Sequence, residues 1–290
     1  MSTTTDDGTA PPRSRFRRPR QRPVPNPTGR MTLGAHLREL RARVVKSGLA
    51  ILVGSVVGWI YYDPIFDMLR HPIDDVVRQA AAGGADVKLV LTGVAQAFTL
   101  QLQVAGTVGL IIASPVWIYQ LWRFITPGLK PRERRWGYVF VGAAVPLFLG
   151  GVIVAYLTLP GALGLLFGFT PPEVANYVPV DAYLSFFLRM VLVFGIGFLV
   201  PLILVALNAV GILTGRRLAR SWRVIVFSVF VFAAVATPTG DPINMCLLAA
   251  PILVLVGAAL AVCFLNDRRR AARLAESSFD QWADDETSPI

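Results

Sequence analysis

Glu39 and Glu133 are isolated anions in basic surroundings. Glu39 lies in the stretch Met31 to Lys46, among Arg38, Arg41, Arg43 and Lys46. The Leu, Ala and Arg content of that stretch predicts a helix, which puts His36, Glu39 and Arg43 along one side at three- and four-residue spacing. Two chemistries are then open to Glu39. It can form a local i,i+4 pair with Arg43, a common and weak arrangement, or it can receive an external cation. Glu133, within Lys130-Pro131-Arg132-Glu133-Arg134-Arg135, faces the same alternatives with Arg132, Arg134 or Arg135.

Other chemistry lacks its parts. The two histidines, His36 and His71, are too few to build a metal cluster with cysteine or carboxylate. Cys246 and Cys263 are seventeen residues apart in one apolar segment, about 25 Å along a helix, and cannot pair with each other. No Gly-rich phosphate loop ending in Lys-Ser or Lys-Thr appears. Ser55, Ser114, Ser185 and Ser228 have no intramembrane histidine to serve as base. The expectation is a protein that is not an enzyme and holds neither cofactor nor metal.

The elements that must position the two carboxylates are membrane helices. With 54% hydrophobic and 16% charged residues, the chain is too apolar for an ordinary soluble domain. Its net charge of +10 therefore has to be read along a membrane topology, without any implication of nucleic acid. Six apolar segments, near 45–62, 98–122, 137–159, 184–210, 224–236 and 243–265, compare with the roughly 20 residues needed to cross the hydrocarbon core. The fifth is short: Val224 to Ala236 rises only about 20 Å. Trp59, Tyr61, Tyr62, Trp117, Tyr119, Trp122, Trp136 and Trp222 mark span ends as interfacial aromatics.

Lys and Arg collect before span one, between spans two and three, between four and five, and after six. The remaining connections carry mostly Asp and Glu. The positive-inside rule then places both termini in the cytoplasm. From Arg30 up to span six, Glu39 and Glu133 are the only carboxylates of the inner segments. The spans themselves are nearly free of ionisable groups: Lys46 and Arg189 lie close to span ends and can snorkel. No proton relay of the kind expected in an ion-coupled pump is visible.

Between spans one and two, Phe66, Leu69, Ile73, Val76 and Val77 recur at near-helical spacing, predicting an amphipathic helix over the outer mouth. Pro115, Pro146, Pro201 and Pro251 each remove a backbone donor inside a span and predict bent helices forming a concave bundle. Asp241 and Pro242 read as N-cap and first residue of span six. Residues 1–30, with six arginines by Arg22 and many prolines, read as a disordered basic tail. The resulting organisation is an all-α integral membrane protein: tail 1–30, six-helix domain 31–265, and cytoplasmic tail 266–290.

The ordered clusters in this topology resemble the TatC family of twin-arginine protein translocase components. They are His36-Leu37-x-Glu39-Leu40-Arg41-x-Arg43, then Pro115-x-x-x-Tyr119-Gln120-x-Trp122-x-Phe124-x-x-Pro127-Gly128-Leu129, then Glu133-Arg134-Arg135. Ala155-Tyr156 with Pro160, Tyr183-Leu184-Ser185-Phe186, Phe194-Gly195, Pro201 and Thr237-Pro238 with Asp241 continue the match. It covers about residues 31 to 265.

The resemblance implies a receptor and core component for export of folded proteins, oligomeric, in a bacterial cell membrane, driven by the proton-motive force. It implies that Glu39, Glu133 and Phe124, with Leu40 and Arg41, bind signal peptides carrying consecutive arginines. Single-span partners of the TatA and TatB type would dock on spans five and six; Thr237, Asp241, Met245, Pro72 and Pro127 are the implied docking or structural positions. Many members carry Glu where Leu199 stands and Gln where Met245 stands, so docking here is expected to depend more on packing. The competing reading is a six-span transporter or channel for a small solute.

Overall fold

The chain folds as nine helices and one pair of short strands in its described residues. The computed structural model describes residues 33–82, 87–125, 134–168, 176–236 and 242–279. In chain order these form α1 (Leu33–Ile60), α2 (Tyr62–Ala82), β1 (Val87–Val90), α3 (Gln96–Ile112), α4 (Ser114–Ile125) and α5 (Arg134–Gly168). Then follow β2 (Asn176–Pro179), α6 (Val180–Ala209), α7 (Gly215–Arg220), α8 (Trp222–Ala236) and α9 (Pro242–Phe279). The basic tail, Pro127, Glu133, Thr237 and Asp241 lie outside the described residues.

Four helices are long and apolar enough to cross a membrane, and α3 with α4 makes a fifth candidate broken by a 60° bend. The bend follows from Pro115 in the first turn of α4, which cannot donate to the carbonyl four residues earlier. Beside it, the Leu110 carbonyl in the last turn of α3 accepts from Trp117 Nε1–H at 3.0 Å. Pro146, Pro201 and Pro251 behave differently from Pro115: each sits inside a continuous helix. Packed neighbours keep those helices unbroken despite the lost donor. The fifth apolar segment becomes α8, fifteen residues long, a rise of about 22 Å and short as its sequence predicts.

Helix α1 runs without interruption from the basic stretch into the first apolar segment. It packs on α3 through two facing pairs of small residues. Gly54 and Gly58 oppose Gly109 and Ala105, so closely that a methyl group on Gly54 would lie 2.8 Å from the Gly109 carbonyl oxygen. One on Gly58 would lie 3.0 Å from the Ala105 oxygen. This is the small-x-x-x-small geometry by which membrane helices approach when lipid removes the hydrophobic driving force between them. The sequence carries that signal in Gly54-x-x-x-Gly58 and Ala105-x-x-x-Gly109, and hydropathy alone passes over it.

Helix α6 is the centre of the bundle, packed against α5, α9 and α3. Gly151 lets α5 touch the Phe194 backbone of α6, where an added carbon would meet the Phe194 oxygen at 2.5 Å. Phe148, Phe187 and Phe194 fill the space beside this contact, all essentially inaccessible. Cys263 is buried and Cys246 exposed, both as free thiols, in keeping with their separation along α9.

The amphipathic segment after α1 is helical as its periodicity predicts. Leu69, Pro72, Ile73 and Val76 of α2 are buried, and Arg70 and Arg78 pair with Asp74 and Asp75 on the exposed side. Pro72 leaves the Met68 carbonyl without its helical donor. Tyr156 of α5 supplies a replacement, its hydroxyl donating to Met68 O at 3.1 Å. Tyr183 of α6 donates to the next carbonyl, Leu69 O, at 2.7 Å. Two tyrosines thus anchor α2 to the bundle through carbonyls in the turn before Pro72. At the same end β1 pairs in parallel with β2, Val87 opposite Asn176 and Val90 opposite Pro179. This strand pair, unanticipated from hydropathy, ties the connection before α3 to the connection before α6.

Candidate functional site

Glu39 occupies the second turn of α1, at the end of the helix distant from α2. Arg43, one turn on, donates to Glu39 Oε1 from its Nη2. The local pair allowed by the spacing is therefore formed. Its two members differ in access: the Glu39 side chain is 25% exposed and Arg43 only 12%. Arg43 Nε is buried and has no acceptor among the described residues. The guanidinium is committed to one carboxylate oxygen through one arm, and Glu39 keeps lone pairs to offer elsewhere.

His36, one turn before Glu39, stacks on Phe124 with ring centroids 4.6 Å apart and planes at 23°. The stack joins the start of α1 to the last turn of α4. The family resemblance singles out Phe124, helical spacing places His36 on the Glu39 side of α1, and the fold brings the two together. Arg41 and Arg38 are exposed and Leu40 half-buried; Arg38 Nε donates to the Gly34 carbonyl at 3.2 Å.

Helix α4 is held on its other side by α5. Trp122 stacks on Phe140 at 3.9 Å and 18°, and Tyr119 on Tyr138 at 6.4 Å and 23°. Trp117 meets Phe148 edge to face at 5.4 Å. Such contacts add about 0.5–1.5 kcal/mol each beyond area burial, so the interfacial aromatics of α4 also act as its packing ladder. They hold α4, and with it Phe124, between α1 and α5, the helix that begins directly after Glu133. Glu133 itself lies outside the described residues.

At the opposite end, Met245 is half-buried against the main core. Leu199, where the resemblance leads one to expect a carboxylate, is 8% exposed and packs with Ile118, Ala144 and Phe148. An ionised Glu at this point would need partners that this cluster does not contain. No group of three metal-ligating side chains occurs among the described residues.

A bundle of long apolar helices, with an accessible carboxylate and an aromatic stack gathered at its helix ends, defines a multi-pass membrane protein. The family model of the Sec-independent protein translocase protein, TatC, matches residues 35–251. A TatC protein of Xylanimonas cellulosilytica is 43% identical over 256 residues, covering 88% of this chain and 92% of the relative. One from Frankia casuarinae is 45% identical over 267 residues, covering 90% and 73%. A crystal structure described as the twin arginine translocase receptor TatC superposes with a TM-score of 0.68 at 34% identity, over 80% of this chain and 99% of that one. The chain belongs to the TatC family of Sec-independent protein translocase proteins.

Proposed function

We propose that this protein is the receptor and core component of a twin-arginine translocase, binding the signal peptides of folded proteins and nucleating the complex that exports them. The observation that carries the reading is the joined site: Glu39 poised beside Arg43, one helical turn from a His36–Phe124 stack that locks α1 to α4. Glu39 and Glu133 accept the two ligand arginines; Phe124, Leu40 and Arg41 border them. A guanidinium presents a planar fork that a carboxylate accepts with two parallel hydrogen bonds, and an ammonium does not. Each contact at this wet interface contributes roughly 1–3 kcal/mol. Two such contacts fall short of the roughly 8 kcal/mol of a micromolar complex. The apolar part of the signal peptide, packed on the bundle, contributes the remainder.

The same reading has six spans, with α8 as the short fifth, in a bacterial cell membrane with both termini cytoplasmic. The Lys and Arg distribution supports it. Single-span partners of the TatA and TatB type dock along α8 and the start of α9, using Thr237, Asp241 and Met245 and relying on packing where polar groups are replaced. The deciding experiment is site-directed photocrosslinking from positions flanking Glu39 and Glu133 to a twin-arginine precursor. Crosslinks that disappear when the precursor carries Lys-Lys are expected; none from either position in resting or energised membranes would sink the assignment.

A further inference from the structure

We propose that the α7 end of the bundle is a binding site for an anionic phospholipid, whose phosphate rests on a cluster of arginines and whose acyl chain enters an apolar groove between α4, α5 and α6. The inference rests on the membrane fold and is independent of the signal-peptide reading. The groove has a volume of about 150 Å³ and is lined by Ile118, Trp122, Ala144, Leu199, Leu207 and Ile212, among others, with almost no polar surface. A dry apolar cavity of this size holds about six carbons in a folded protein. From Leu199 at its depth to the end of α6 at Ala209, below the mouth at Ile212, the groove follows the helix for about 15 Å, close to one leaflet of a ~30 Å hydrocarbon core.

The mouth is marked by charge. Gly211 turns the chain out of α6 with a positive φ of 86°. A methyl group there would lie 2.5 Å from Arg270 Nη1. The Arg270 guanidinium therefore covers the Val210–Ile212 turn, and both flanking residues line the groove. Arg216, Arg217 and Arg220 on α7, Arg223 on α8 and Arg268 and Arg269 on α9 are exposed around it. None of these seven arginines has an ion pair with a described residue.

The nearby carboxylate Asp267 is already engaged. Its two oxygens accept from Asn208 Nδ2 at 2.8 Å and from the Gly215 backbone N–H at 2.6 Å. Asn208 is buried and also donates to the Leu213 carbonyl at 2.9 Å, while Asn266 donates to Asn208 Oδ1. This clasp fixes α7 against α6 and α9, so the arginines are presented on a rigid frame. Charge complementarity selects the occupant. A ligand carrying consecutive arginines is repelled from such a mouth, and a phosphate with an attached chain satisfies both the guanidinium cluster and the apolar groove.

Native mass spectrometry of the full chain, released from micelles containing equal phosphatidylglycerol and phosphatidylcholine, tests the site. Two guanidiniums beside a net-negative headgroup, against one whose phosphate is balanced by its choline cation, predict a preference for retained phosphatidylglycerol of about thirtyfold. Arg217→Gln with Arg270→Gln should reduce it to within about threefold, whereas Arg38→Gln with Arg41→Gln, the same charge change on α1, should leave it intact. Ala206→Trp, which fills the groove, should lower retention of phosphatidylglycerol while the arginines remain. Soluble glycerol phosphate at matched concentration should not compete, since it lacks the chain. Equal retention of the two lipids, equal effects of the two double variants, retention unaffected by Ala206→Trp, or full competition by glycerol phosphate would each overturn the proposal.

Discussion

At the scale of single residues, the Glu39–Arg43 pair has two consequences that differ in sign. Arg43 neutralises Glu39 and also occupies one of its oxygens, so under the proposed function a ligand arginine has to compete with it. Arg43→Ala is expected to tighten binding of an Arg-Arg peptide severalfold, read by titration with a fluorescent signal peptide; unchanged or weaker binding would show that the pair does not compete. Glu39→Gln keeps the shape and removes the charge, and should weaken the same peptide by about 1–3 kcal/mol, the worth of one charge-assisted contact. The tyrosines bonded to the turn before Pro72 are a separate case. Tyr183→Phe leaves the Leu69 carbonyl short of its buried 2.7 Å donor and should cost about 1–3 kcal/mol of stability, measured by thermal unfolding in detergent. Tyr156→Phe, at a more accessible bond, should cost less.

At the scale of elements, the α1–α3 contact holds α1 where His36 meets Phe124 of α4. Helix α1 is mostly exposed apart from this seam, and α3 leads directly through the Ala113 bend into α4. A methyl group on Gly109 would collide with Ser55, whose backbone nitrogen is 2.5 Å away. Gly109→Val should therefore separate α1 from α3, destabilising the fold by about 1–3 kcal/mol, as expected of overpacking. Peptide affinity should fall with it although no site residue has changed. Fluorescence transfer between labels on α1 and α4 would report the separation; preserved distance with preserved affinity would mean that the seam does not position the site. Prolines illustrate how context overrides local preference. Pro115 coincides with a 60° break, while Pro146, Pro201 and Pro251 stay within continuous helices, because packing around α5, α6 and α9 tolerates the missing donors.

At the scale of the whole molecule, the charge distribution makes orientation testable. With Cys246 and Cys263 replaced by Ser, Arg78→Cys on α2 should react with a membrane-impermeant maleimide in intact cells, and Arg217→Cys on α7 only after permeabilisation. The reverse pattern would invert the topology. The apolar spans, the short α8, the amphipathic α2 and the isolation of Glu39 were all legible in the chain, because hydropathy, helical period and charge placement are local properties that the bilayer acts on directly. Ordered motifs further made the family legible. Tertiary structure alone decided which helices touch: the Gly54–Gly109 seam, the His36–Phe124 stack, the parallel β1–β2 pair and the tyrosines bonded to the turn before Pro72 join residues between 55 and 114 positions apart for the helix contacts and 89 for the strands. Those pairings depend on shape and on unsatisfied backbone groups meeting across the bundle, which no periodicity along one chain encodes. Glu39 alone was a carboxylate with two possible fates; in the fold it pairs with Arg43, one turn from the stack of His36 on Phe124 of another helix.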